Sequence, residues 1–209
     1  MKRVSRTDPF QSTPPNHVPR RHPRLLPRLA ALAIVWALFS VSGLHAQRSK
    51  PAEYEVKAAY LYNFGKFVEW PAKIKAASAD AFTVCVLGQD PFGVTLDATI
   101  AGETIDGKSV VAKRISKPQD ALDCRILFIS SSEESQLKQI LATLDKTNIL
   151  TVSDMLQFTR RGGMIQFILE ENRVRFEVNL TTAQRAGLTL SSQLLKLAIS
   201  VRRSSPLGD

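Results

Sequence analysis

The stretch RGGMIQFILEENRVRFEVNL, residues Arg161–Leu180, decides the fold of this chain. Apolar and polar side chains alternate in two runs, which is the pattern of strands that bury one face. The apolar positions are Ile165, Phe167 and Leu169 in the first run and Val174, Phe176 and Val178 in the second. The polar segment Glu170–Arg173 separates the runs and predicts a turn. We therefore expect an antiparallel hairpin, followed by a closing helical region over Thr181–Ala198. Nothing in this stretch is a catalytic signature, which favours a binding protein.

The net charge is the next informative feature. The chain of 209 residues carries a formal charge of +9, a balance that is often found in nucleic-acid-binding proteins. However, residues 1–46 hold seven Lys and Arg side chains against one acid, which leaves 21 basic and 18 acidic residues in the rest. The basic excess therefore belongs mainly to the leader, and we expect no nucleic-acid partner.

The leader, residues 1–46, has the parts of an export signal. Arg20–Arg28 is a positive region, Leu29–Phe39 is apolar, and Leu44–Ala46 is a possible cleavage site before Gln47. A membrane span needs about 20 apolar residues, and Leu29–Val41 is 13 residues long and includes the polar Ser40. We expect export and cleavage of the leader; an uncleaved N-terminal membrane anchor is the alternative.

The histidines exclude several kinds of catalysis. All three, His17, His22 and His45, lie in the leader, so residues 47–209 contain no imidazole. A mature chain of this composition cannot use Ser-His-Asp or Cys-His catalysis or bind a metal through histidine. We expect no enzymatic activity, no cofactor and no metal site.

Strand and helix patterns alternate through the mature chain. The predicted strands are Phe82–Leu87, Ser109–Ile115, Cys124–Ser130 and Asn148–Val152. The predicted helices are Glu53–Trp70, a helix opening at Asp90-Pro91, one after Ser131, Asp154–Thr159, and a last one lined by Leu190, Leu194, Leu197 and Val201. Helix caps are predicted at Asp90, at Ser131 with Glu134, and at Thr181 with Gln184. Lys73–Ala79 is predicted to be a connector.

This alternation predicts a single α/β domain over residues 50–201. The sheet should be mostly parallel and covered by helices on both faces, giving three layers, with a C-terminal antiparallel hairpin and a closing helix. Residues 202–209 are expected to form a flexible tail.

The mature chain has two cysteines, Cys85 and Cys124. An even count in an exported chain favours a disulfide, and the two can face each other if the first and third strands are neighbours. Two buried thiols are the alternative. The chain has no Cys-x-x-Cys motif, so the pair does not indicate a thioredoxin-like active site.

Two places are candidate binding sites. Gly88 and Asp90 follow one strand and Ser130 and Ser131 follow another, and open α/β sheets bind ligands at the carboxyl ends of their strands. These four residues are a candidate ligand crevice, although an ordinary strand-to-helix turn and helix capping explain them as well.

The hairpin is the second candidate, as a partner surface formed by Ile165, Phe167, Arg175 and Glu177. A solvated sheet face is its alternative. The first helix also carries Tyr54, Leu61 and Tyr62 on its other face, either as a partner contact or covered by a neighbouring segment.

Several ordered blocks resemble the YfiR family over about residues 50–200. They are EYEVKAAYLYNFGKFVEWP at 53–71, VCVLG at 84–88, CRILFIS at 124–130, LTVSD at 150–154 and GGMI at 162–165. The resemblance implies a homodimeric periplasmic regulator that binds and represses the periplasmic domain of an inner-membrane diguanylate cyclase. It further implies that an outer-membrane lipoprotein sequesters the repressor and so releases cyclic-di-GMP synthesis and biofilm formation.

The resemblance also bears on the cysteines. Cys85 and Cys124 match the recurring cysteine pair of the family, whereas the positions of a second pair found in some members hold Thr159 and Gln166. We therefore expect a periplasmic repressor of a diguanylate cyclase or of another membrane sensor. A periplasmic small-molecule sensor that uses the crevice near Gly88 is the alternative.

Overall fold

A computed structural model describes residues 49–71 and 81–203, with side chains from residue 52 onward. The predicted leader, the Lys73–Ala79 connector and residues 204–209 of the predicted tail lie outside the described residues. Arg202, predicted to begin the tail, lies in a strand. The helices are α1 Ser49–Phe67, α2 Val94–Ile100, α3 Leu137–Thr143, α4 Leu180–Arg185 and α5 Ser192–Leu197. The strands are β1 Val68–Glu69, β2 Ala81–Leu87, β3 Thr104–Ile105, β4 Lys108–Ile115, β5 Ile126–Ile129, β6 Leu150–Ser153, β7 Ile165–Glu170, β8 Arg173–Asn179, β9 Thr189–Leu190 and β10 Ser200–Arg202.

The main sheet has the strand order β10-β8-β7-β6-β5-β2-β4-β3. Its pairs are parallel except for the β3–β4 and β7–β8 hairpins. The predicted α/β fold, with its mostly parallel sheet and C-terminal hairpin, is confirmed.

The three layers follow from the alternation of side chains along the central strands. In β2, Val84 and Val86 join the core cluster beneath α1 and α2, while Cys85 and Leu87 join the cluster beneath α3. All four residues of β5 are buried, because helices cover both faces of the sheet at this strand.

Helix α1 approaches the sheet closely enough to require a glycine. A β-carbon on Gly65 would collide with side-chain atoms of Ile105 and Phe82. This helix ends at Phe67, earlier than predicted, because Val68–Glu69 pairs with Thr189–Leu190 as a two-stranded antiparallel sheet. The Trp70-Pro71 pair therefore follows this short strand and does not end the helix.

Several predicted helix boundaries were wrong. Asp90 does not cap a helix: its Oδ1 accepts from the Phe92 amide, and α2 begins after Gly93. Ser130 caps a 3-10 turn, Ser131–Gln136, that precedes α3. Asn179 caps α4 by accepting from the Thr182 amide.

Two predicted helical segments take other forms. Residues 154–159 form turns, and the closing region is divided into α4, β9, α5 and β10. Val201 consequently lies in a strand parallel to β8, and Leu190 lies in β9.

Candidate partner-binding groove

The predicted hairpin is present, with Ile165 opposite Val178 and Phe167 opposite Phe176. Glu171 and Asn172 at its tip have φ values of 46° and 63°. Positive φ at both central residues is typical of the two-residue turns that join tightly twisted strands. The tip is therefore a tight two-residue turn at the far end of the two strands.

Half of the predicted partner surface is core. Ile165 is 0% exposed and Phe167 is 2% exposed, because α1 covers this face of the hairpin. The ring of Phe64 in α1 stacks on Phe167 at 5.8 Å between centroids and meets Phe176 edge-on at 5.2 Å. The alternation of apolar and polar residues identified the apolar face of the hairpin correctly, but α1 of the same chain packs on that face.

The other two predicted surface residues are half-buried on the opposite face of β8. Arg175 pairs with Ile168 across the hairpin. Glu177 accepts a hydrogen bond from the Thr159 hydroxyl at 3.3 Å. Arg175 reaches solvent beside the hairpin tip, where a cavity begins.

A groove of about 430 Å³ lies between the start of α1 and the outer half of the hairpin. Its lining residues are Ala52, Glu53, Val56, Leu169, Asn172, Arg173, Val174 and Arg175. Val56 is 44% exposed and Leu169 is 53% exposed, so two large apolar side chains lie open to solvent. Apolar side chains that converge in a concave site are typical of binding sites.

The rim of the groove carries charges of both signs. Glu53 lies on the helix side, and Arg173 and Arg175 lie on the hairpin side. Among the described residues, no ion pair includes either arginine, whereas Glu53 pairs with Lys57 at 2.5 Å. The groove therefore offers guanidinium groups to an incoming acidic group.

A buried charge cluster fixes the helix side of the groove. Lys57, whose side chain is 4% exposed, donates to Asp154 Oδ2 at 2.7 Å and lies 4.4 Å from the centre of the Tyr54 ring. The Tyr54 hydroxyl donates to the same oxygen at 3.0 Å. Burial, and then the charge of Asp154, raise the pKa of Tyr54 above its usual range, so the hydroxyl stays protonated as a donor.

This cluster was not predicted from the sequence. Glu53 and Lys57 are four residues apart on α1, a spacing that is also common for solvent-exposed pairs. The buried position of Lys57 depends on Asp154, which is 97 residues away and directly follows β6.

The four residues of the predicted ligand crevice lie beside a 3-10 turn. Gly88, Asp90, Ser130 and Ser131 lie at the carboxyl ends of β2 and β5, and the 3-10 turn over Ser131–Gln136 follows Ser130. The Gln89 amide donates to Ser132 Oγ at 3.0 Å. A β-carbon on Gly88 would collide with Ser132 and Glu133.

Asp90 also has a structural partner at this edge. Its Oδ2 accepts from Arg114 Nε at 2.9 Å, and Arg114 binds Asp97 through both terminal nitrogens at 2.7 Å. Arg114 lowers the pKa of Asp97, and these carboxylates raise the pKa of Arg114. These residues tie α2 to β4.

The second face of α1 is covered by its neighbours. Leu61 and Tyr62 are buried, and the Tyr62 hydroxyl donates to the Glu103 carboxylate. Tyr54 meets Phe92 edge-on at 5.3 Å. Of the two interpretations of this face, a partner contact or cover by a neighbouring segment, the second is confirmed.

The predicted disulfide is present. Cys85 in β2 and Cys124 just before β5 are bonded, with their Cα atoms 5.8 Å apart. Both residues are buried in the cluster beneath α3. At the positions of the second cysteine pair of some relatives, the Thr159 amide donates to Gln166 Oε1 at 3.3 Å. A hydrogen bond thus joins these positions.

Two further results concern metals and membranes. Within residues 49–71 and 81–203, no group of three or more acidic, Cys or His side chains is placed to hold a metal ion. No helix in this same part of the chain is long and apolar enough to cross a membrane.

Two solved structures are similar to the chain at low identity. A conserved domain protein from Vibrio cholerae O1 biovar El Tor shares 13% identity at a TM-score of 0.45, covering 62% of this chain and 57% of that one. The ABC domain in complex with L-Trp from Streptococcus pneumonia shares 12% identity at a TM-score of 0.44, covering 62% and 58%. The chain thus spans less than three fifths of the length of either protein.

The family comparison is far more specific. A family described as YfiR/HmsC-like matches residues 54–199, from the first turns of α1 to the residue before β10. At the level of the family, this match supports a periplasmic regulatory role in cyclic-di-GMP signalling. It indicates a regulator rather than an enzyme. The chain belongs to the YfiR/HmsC-like family.

Proposed function

We propose that this protein represses an inner-membrane diguanylate cyclase by binding its periplasmic domain through the groove between α1 and the hairpin tip. The observation that carries the proposal is the exposure of Val56 and Leu169 in one concavity. Arg173 and Arg175 lie on its rim, and neither forms an ion pair with a described residue. Family membership supplies the regulatory context.

The chemistry of the groove defines the partner segment. An apolar side chain of the partner would enter between Val56 and Leu169, where it removes both from water. An acidic side chain beside it would pair with Arg173 or Arg175, each of which can bind a carboxylate through two nitrogens. Aromatic or aliphatic anchors surrounded by polar contacts are the usual centre of such interfaces.

The proposal includes the cellular arrangement. Residues 1–46 direct export and are removed, so the mature protein starts at Gln47 in the periplasm. The protein acts as a homodimer, and an outer-membrane lipoprotein competes with the cyclase for it. The mass of the exported protein tests the cleavage: retention of residues 1–46 would support the membrane-anchor alternative.

Cellular cyclic-di-GMP measures repression directly. In cells that carry the cyclase, we expect Val56→Asp to raise cyclic-di-GMP, because a carboxylate in the groove opposes burial. Val94→Asp is the matched control, since Val94 is exposed on α2, outside the groove. If the folded Val56→Asp protein represses as well as the control, the groove is not the binding site.

Glu177→Arg tests the neighbouring sheet face separately, since Glu177 is half-buried and outside the groove lining. Ile165→Asp would not be informative, because a carboxylate at a fully buried position disrupts folding.

The genes adjacent to this one provide a further check on the identity of the partner. A neighbouring gene for a membrane protein with a GGDEF-type output domain would support the cyclase as partner.

A further inference from the structure

A second cavity lies at the opposite end of β8 from the groove. It has a volume of about 280 Å³, and four arginines line it: Arg160, Arg185, Arg202 and Arg203. The seven residues of β8 separate this end from the hairpin tip by roughly 20 Å. The two cavities are therefore separate sites.

The topology brings these arginines together from three segments. Arg160 lies in the turns before β7, Arg185 ends α4, and Arg202 ends β10. Because β10 runs parallel to β8, Arg202 pairs with Asn179 at the carboxyl end of β8. Asn179 fixes this corner by donating to the Thr159 carbonyl at 2.9 Å and accepting from the Thr182 amide at 3.1 Å.

Within residues 52–71 and 81–203, no carboxylate forms an ion pair with any of the four arginines. By contrast, Arg114 and Arg161 each bind a carboxylate. Two acids lie in the neighbourhood: Glu177 accepts from the Thr159 hydroxyl, and Asp145 lines an adjoining cavity that also includes Arg185. No carboxylate is among the described residues that line this cavity.

Four guanidinium groups around one small cavity raise the local positive potential, which favours binding of an anion there. Guanidinium groups match phosphate oxygens in geometry and bind them in pairs. We propose that this cavity is a binding site for a phosphate group, with Arg160, Arg185, Arg202 and Arg203 as its ligands. The size of the cavity suits one phosphate ester and not a nucleic-acid duplex.

A phosphate group could come from two sources, a soluble phosphate ester or the headgroup of an anionic phospholipid. Binding of inorganic phosphate and glycerol 3-phosphate to the mature chain, measured by calorimetry, tests the first source. Co-sedimentation with phosphatidylglycerol vesicles, with phosphatidylcholine vesicles as reference, tests the second. Both are measured at low and at 0.15 M salt, since electrostatic binding weakens as salt rises.

The critical variant is Arg185→Ala/Arg202→Ala. We expect it to weaken binding of phosphate, or of phosphatidylglycerol vesicles, at least tenfold, since each lost charge-assisted hydrogen bond costs several-fold in affinity. Lys113→Ala/Lys138→Ala removes the same charge from exposed positions elsewhere and should bind like the unsubstituted chain.

Binding in either arm that depends on the cavity arginines supports the proposal and identifies the source. Equal weakening by both double variants would show non-specific charge attraction and overturn it. Failure to bind either probe at low salt would also overturn it. Repression through the groove is measured independently, so these outcomes leave the proposed function untouched.

Discussion

Lys57 shows how a single residue organises the candidate site. Its ammonium group is buried between Glu53 and Asp154 and beneath the Tyr54 ring, so it joins the start of α1 to the end of β6. The same ion pair fixes Glu53 on the wall of the groove. A cation at this position therefore serves both stability and the shape of the site.

We predict that Lys57→Ala lowers the free energy of unfolding by about 3 kcal/mol, since removing one partner of a buried pair leaves carboxylates without a counter-charge. Denaturant unfolding followed by the fluorescence of Trp70, the only tryptophan in residues 47–209, measures the loss. Lys138→Ala, at an exposed position on α3, is the control and should change stability by less than about 0.5 kcal/mol. Equal effects of the two substitutions would contradict the structural role of Lys57.

At the residue scale, the sequence predicts side-chain type better than side-chain partner. Alternation correctly placed Ile165 and Val178 on the apolar faces of their strands, but it could not show that α1 covers the apolar face of the hairpin. The caps were misplaced because Ser, Thr and Asp near a strand end are all competent caps. Ser130 is the cap because its backbone is extended and its hydroxyl accepts from the Ser132 amide.

At the element scale, local signals were sufficient where a segment is long and strongly periodic. The hairpin, the buried strands β2 and β5 and the helix α1 were all predicted within a few residues. The closing region was not, because its leucines satisfy a helical period while Thr189–Leu190 pairs with Val68–Glu69. Strand pairing across more than 100 residues overrode local propensity there.

The disulfide is the main covalent constraint between elements. It closes a separation of 39 residues and fastens the start of β5 to the middle of β2. Because both cysteines are buried, a reductant can reach the bond only after the domain opens locally. This burial favours a structural bond over a redox switch.

We predict that Cys85→Ala/Cys124→Ala lowers the free energy of unfolding by about 4 kcal/mol, as expected for a loop of this length. Guanidinium denaturation of the variant and of the unsubstituted protein gives the difference. Thiol labelling after dithiothreitol treatment under native conditions should find both cysteines still bonded. Rapid reduction of the folded protein would instead indicate a labile, regulatory bond.

At the scale of the whole molecule, the fold class followed from the alternation of strands and helices, and the family model confirms the resemblance over residues 54–199. The groove did not follow, because it is formed by residues from two distant segments, 52–56 and 169–175. The sequence predicted that Ile165 and Phe167 of the hairpin form the partner surface. In the structure these two residues are buried, and the exposed apolar residues of this region are Leu169 and Val56.

The central claim is that this groove binds the periplasmic domain of the cyclase. The most direct measurement is the Kd of the mature protein for that purified domain, determined by calorimetry. Leu169→Asp should weaken binding at least tenfold, because it places a charge at the centre of the interface. Leu122→Asp should leave the Kd unchanged, since Leu122 is 71% exposed outside the groove. A folded Leu169→Asp protein that binds the domain with an unchanged Kd would contradict the claim.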